Sequence, residues 1–184
     1  AKNPAELIAL LKKNPGKFNY ASSGTGSSNQ FATELLKVMS GTFALHIPYR
    51  GMGPATTDLI GGQTQILLAS GPSLLPQVRN GRIRAIGITS LKPSPIAPEL
   101  IPMATVVPGY EFELWWGILG PAGMPADIVN LLNREINKIL NTPEMKAALL
   151  REGAEASPES PAQFATRLSG DIARWKSVAK RQKI

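Results

Sequence analysis

The sequence predicts an α/β unit on a largely parallel sheet, and three observations lead there. Short apolar runs alternate with stretches of helical period. Each of the first three runs ends in a small loop that opens a helix: SSGTGSS, RGMGP and SGPS. The chain has 184 residues, 43% hydrophobic and 18% charged, enough for one large or two small domains with a substantial core. Right-handed crossovers then bring the strand-to-helix loops to one edge of the sheet.

Residues 4–14 read as a leading helix, with Pro4 in its first turn and Leu7, Ile8, Leu10 and Leu11 on one face. Asn14-Pro15-Gly16 stops it. A short strand follows at 18–21, then a helix over 27–39 closed by Ser40-Gly41. The cycle repeats: strand 44–49, helix 54–60, strand 63–69, then Ser70-Gly71-Pro72 and a helix to about Arg79, strand 82–89. Five prolines between 92 and 108 mark a surface connection. Residues 113–119 (ELWWGIL) read as a last strand, and helices are expected at 126–140, 143–151 and 162–181. Ser160 is the expected cap of the last, with Pro161 at its first position. Three helices and one strand cannot form an α/β layer alone, so they must pack on something else.

Composition removes several classes of function. No apolar window approaches the roughly 18 residues of a membrane helix. The opening lacks the apolar block and cleavage site of a secretory signal, so a signal peptide is not expected within this chain. With no cysteine there are no disulfides or thiolate metal sites. The net charge of +7 is scattered except in the tail, where Arg174, Lys176, Lys180, Arg181 and Lys183 surround Ile172, Trp175 and Val178. That pattern fits a solvated helix face, and no nucleic-acid motif accompanies it. The charge can instead collect anionic small molecules.

The loops carry the chemical signal. Helix starts offer unpaired N–H groups and a partial positive charge. Glycine leaves the backbone bare, and serine and threonine add hydroxyl donors. For RGMGP and SGPS alone, ordinary turns and caps are the better account. SSGTGSS is longer and barer than capping needs. Gly24-x-Gly26 begins a dinucleotide fingerprint, but Asn29 stands where the third glycine belongs, and there is no P-loop or GxSxG elbow. His46, the single histidine, sits in an apparent strand without an evident partner and reads as packing. Trp115 and Trp116 face opposite ways if extended, so at least one packs.

In order, KNPGKFNYASSGTGSS, HIPYRGMGPATTDLIGGQTQ, GPSLLP, GRIRAIGITS, VPGYEFELWWGILGPAGMP and DIARWKSV resemble the periplasmic solute-binding receptors of tripartite tricarboxylate transporters, the TctC or Bug type. The resemblance runs over essentially the whole chain. It implies a type II periplasmic binding-protein fold whose two lobes close on a small carboxylate by a hinge near 110–113. Residues 15–112 would form one complete parallel-sheet lobe and 113–184 the strand and helices of the C-terminal part of the other. Family ligands include di- and tricarboxylates, acidic amino acids and aromatic acids.

The ligand-binding residues implied are Ser22, Ser23, Gly24, Thr25, Gly26 and Ser27 in the first loop, Tyr49, Arg50 and Gly51 in the second, and Ser70 in the third. Membrane transporter subunits would be the partners, with no cofactor, no catalytic residue and a periplasmic location. Two departures stand out. Ala69 and Ser70 replace an acidic residue and an asparagine usual after the third strand, which favours a plain carboxylate over an amino acid. The chain also lacks an initial region of roughly 100 residues that builds most of the first lobe. It would therefore bind weakly, bind nothing, or bury its exposed helix faces by dimerising. Two other classes are an enzyme holding a phosphorylated substrate or cofactor on the Gly/Ser loop, and a basic scaffold with salt-sensitive binding.

Overall fold

The computed structural model describes residues 1–182; Lys183 of the basic tail lies outside them. The first helix, α1 (Pro4–Lys13), starts at Asn3, whose Oδ1 accepts the Glu6 N–H at 2.9 Å. Its Ile8 and Leu11 are buried, each in a different core cluster. Strand β1 (Asn19–Ser22) leads through the first loop into α2 (Ser28–Ser40), which ends at Gly41 in the left-handed conformation. Then come β2 (Leu45–Pro48), α3 (Met52–Ile60), β3 (Ile66–Leu67) and α4 (Gly71–Arg79).

The three strands are parallel, in the order β2-β1-β3. That order places a topological switch beside β1: the chain first steps to one side of it, then returns to the other. Ligands of open α/β sheets sit outside the carboxyl ends of the strands at such a point. Tyr20 in β1 is fully buried with Leu11 and Ala44, and Phe18 and Ile66 pack around them. The second cluster joins Ile8, Leu36, Met103, Val107 and Tyr110, so the proline-rich connection contributes to the core as well as covering the surface.

Two segments that read as strands form no ladder among the described residues. Residues 82–89 make a single parallel bridge, Ile88 to Pro102. Gly87 lies so close to Ile101 O and Pro4 Cγ that a Cβ would stand 2.8 Å from each, so this segment packs on α1 and on 101–103 instead of on β3. The expected last strand, 113–119, is likewise unpaired. Leu114, Trp116, Ile118 and Leu119 are all exposed, and a ladder needs a neighbouring edge, which no described segment supplies.

The C-terminal helices are α5 (Ala126–Leu140), α6 (Pro143–Arg151) and α7 (Pro161–Gln182). At the start of α7, Ser160 Oγ accepts the Gln163 N–H at 3.2 Å while Gln163 Oε1 accepts the Ser160 N–H at 2.8 Å, a capping box. Trp175 of α7 meets Phe31 at 5.8 Å and Phe112 at 4.9 Å between ring centres. Arg174, Lys176 and Lys180 are solvent-exposed. Trp115 donates to Asp171 at 2.6 Å and meets Phe164 edge-on, whereas Trp116 is 66% exposed. Ile128, Leu131, Leu132 and Ile139 leave the apolar stripe of α5 open to solvent.

Candidate functional site

The carboxyl edge of the sheet gathers the starts of α2, α3 and α4. Two backbone bonds join the first loop to the second: Tyr49 N–H to Ser22 O at 3.0 Å and Gly51 N–H to Ser23 O at 3.1 Å. Across the switch point, Asn29 links the first loop to the end of β3. Its Oδ1 accepts the Ser23 hydroxyl at 2.7 Å and its Nδ2 donates to Leu68 O at 2.7 Å. The first two loops are thus bonded directly, and the first is also tied to Leu68 just after β3.

Glycine is needed where the backbone turns through positive φ, at +139° for Gly24 and +105° for Gly51. A Cβ on Gly24 would also stand 3.4 Å from Tyr49 O. The amides of Gly24 and Gly26 are not left bare, however. Gly24 N–H donates to Ser22 Oγ at 3.2 Å and Gly26 N–H to Gln30 Oε1 at 2.7 Å. Ser27 caps α2 by accepting the Gln30 N–H. Within the first loop and the start of α2, the N–H groups of Ser23, Thr25, Ser28 and Asn29 have no partner among the described residues, beside the hydroxyls of Thr25 and Ser28.

The field at this edge is positive and uncompensated. No acidic residue stands in the first turn of α2, α3 or α4, nor in that of α7, whereas α1, α5 and α6 carry Glu6, Asp127 and Glu144 there. Arg50 is exposed and joins no ion pair among the described residues. Such an edge suits a small anion.

The expected site residues fall into two groups. Ser23, Gly24, Thr25, Gly26, Ser27, Arg50 and Gly51 lie exposed or half-exposed on the loops. Ser70 precedes α4 and bonds to the Ser73 hydroxyl at 2.9 Å. Tyr49 turns its phenol to Asp58 at 2.8 Å, a bond that raises its pKa. Ser22 is fully buried behind the loop, since it ends a central strand and its side chain points along the same face as Tyr20.

His46 has partners that the sequence reading missed: the Ser22 hydroxyl at 2.6 Å and the Tyr20 ring, stacked at 4.8 Å. The signal was the parallel register that sets Tyr20 opposite His46. A serine and histidine at this distance have the form of a nucleophile and its base. With its Oγ wrapped around Gly24 and no solvent exposure, Ser22 cannot reach a substrate. Asn29 and Gln30 also went unread, as buried amides that organise the loop. A groove of about 380 Å³ between α3 and α4 opens beside Met52, Gly53 and Ser73, and the first loop does not line it.

The sequence pattern of the tripartite tricarboxylate transporter family receptor matches residues 1–184. A protein from the tcbD-tcbE intergenic region of a Pseudomonas species is 35% identical over 175 residues, 94% of this chain and 52% of its own length. Protein BugT of Bordetella pertussis is 33% identical over 175 residues, 95% of this chain and 54% of its own. Among solved structures, an R. palustris protein with adipate superposes with a TM-score of 0.90 at 32% identity, over 98% of this chain and 60% of that one. The periplasmic binding protein BugD gives a TM-score of 0.84 at 28% identity, over 98% and 62%. The chain therefore spans about half to three-fifths of the length of these relatives.

Proposed function

The chain belongs to the tripartite tricarboxylate transporter receptor family, and from that premise we propose that it supplies the anion-binding lobe of a periplasmic receptor that captures a small carboxylate for a membrane transporter. The observation that carries the reading is the convergence of three acid-free helix starts on the switch point of a parallel sheet. The unpaired amides of Thr25, Ser28 and Asn29 donate to one carboxylate group, and the neighbouring hydroxyls and Arg50 complete its surroundings. Ser22, Gly24 and Gly26 shape the loop from behind. A relative solved with adipate and another solved with malate make dicarboxylates the natural first probes.

The test is a titration of ¹⁵N-labelled protein with adipate and with malate. Shifts concentrated at Thr25, Ser28 and Asn29 are the expected result. If neither acid moves these amides, the edge is not the carboxylate site. Ser22 of the serine–histidine pair is fully buried, so that pair presents no nucleophile at the surface.

We also propose that the open stripe of α5 pairs with a second copy of the chain. Ile128, Leu131, Leu132 and Ile139 are each between 42 and 51% exposed along one face. Sedimentation equilibrium should give a mass that rises with concentration, and Leu132→Glu should return it to the monomer. A wild-type chain that stays monomeric at every concentration defeats the proposal.

A further inference from the structure

We infer that His46 is a positioning residue for the carboxylate loop: its Nε2–H donates to the Ser22 hydroxyl, which holds the Gly24 peptide and thereby the start of α2. This rests on the reading of that loop as the ligand contact.

Ser22 Oγ lies 2.6 Å from His46 Nε2, 3.0 Å from Gly24 O and 3.2 Å from Gly24 N. A hydroxyl has one proton and two acceptor positions. The Gly24 N–H fills one acceptor position. If the proton went to His46, Ser22 Oγ and Gly24 O would face each other as two acceptors with no hydrogen between them. If His46 donates instead, the proton bonds Gly24 O and all three contacts are satisfied. The three contacts together therefore assign the proton to Nε2.

The consequence reaches the site in two steps. Gly24 O also accepts the Ser27 N–H at 3.2 Å, and Ser27 is the cap of α2. A glycine is the least restrained residue in the chain, and here both sides of it are gripped by one hydroxyl. The imidazole is held in turn by stacking on Tyr20, whose phenol donates to Glu34 at 2.5 Å.

The charged groups that act on the ring are Glu34 and Lys37, which oppose each other, and burial lowers the pKa of His46. The ring is therefore neutral near pH 7, so the Nε2 proton is a choice of tautomer. It survives protonation, because the imidazolium also donates from Nε2.

The chain has a single histidine, so long-range ¹H–¹⁵N spectra of the imidazole are free of overlap. Nε2 should carry the proton at neutral pH. His46→Phe keeps the stack on Tyr20 and removes the donor, whereas His46→Gln returns an N–H near the same place. Hydrogen exchange at the Gly24 and Ser27 amides should be roughly tenfold faster in the Phe variant, equivalent to about 1.4 kcal/mol, and restored in the Gln variant. Adipate affinity should follow the same order.

An unprotonated Nε2 in the neutral ring overturns the inference, and this measurement needs no variant to fold. Unchanged exchange in His46→Phe overturns it too, as does faster exchange with unaltered adipate affinity. A wild-type protein that ignores adipate overturns only the ligand reading, because tautomer and exchange are read without ligand.

Discussion

Gly24→Val should lower adipate affinity roughly a hundredfold, about 2.7 kcal/mol, in an isothermal calorimetric titration. At φ +139° the backbone of Gly24 lies where a side chain costs about 1–3 kcal/mol, and a β-branched one most. The new Cβ would meet Tyr49 O at 3.4 Å, so relief of the strain pushes the first loop away from the second. That movement breaks the contact of Gly51 N–H with Ser23 O and tilts the first turn of α2, and with it the amides of Ser28 and Asn29. Gly170→Ala is the control. It lies exposed within α7 with open space at its Cβ, and it should leave affinity unchanged while raising helix stability by up to about 1 kcal/mol. An unaltered affinity for Gly24→Val would place the acid elsewhere.

Most helices were legible because their ends are written locally. Ser27 and Ser160 cap the helices that follow them, and Gly41 closes α2 in the conformation that glycine tolerates. The first loop was legible as a special place because its glycines and serines exceed what a cap requires. The use of those residues was not, since it depends on long-range geometry. Gly24 and Gly26 read as bare amides, yet their N–H groups bond to Ser22 and Gln30. Ser22 read as a ligand contact, yet the strand register turns it inward toward His46. Register is a property of two segments together, and neither contains it alone.

The same limit explains the two strands that did not form. RIRAIGIT and ELWWGIL both have strand composition, but an apolar run becomes a strand only beside an available edge. Residues 82–89 are taken up by α1 and by 101–103, with Arg84 donating to Ala1 O at 3.2 Å and Ile88 bridged to Pro102. Residues 113–119 meet no edge among the described residues, and Leu114, Trp116, Ile118 and Leu119 remain exposed. Strand pairing had to come from coordinates.

Tyr110→Ala should cost about 3–5 kcal/mol of folding stability, the range for losing a large buried aromatic. Tyr110 is fully buried among Ile8, Leu36, Met103 and Val107, so it joins α1, α2 and the proline-rich connection in one cluster. Its phenol donates to Ala32 O at 3.1 Å, and burial raises its pKa. The residues that follow are tied on two sides. Phe112 N–H donates to Thr89 O at 3.0 Å and the Thr89 hydroxyl to Phe112 O at 2.6 Å, while Arg174 of α7 donates to Glu111 O at 2.6 Å. Truncation therefore opens a cavity in the cluster of α1 and α2, next to the residues that α7 holds. For a chain of this length the melting temperature should fall by roughly 6–20 °C. Tyr110→Phe keeps the ring and loses one hydrogen bond, so its cost should be only about 1 kcal/mol. Thermal unfolding followed by circular dichroism separates the two contributions. If the alanine variant melts within a degree or two of the phenylalanine variant, the ring is not what holds this junction, and the hydrogen bonds of 111 and 112 must carry it instead.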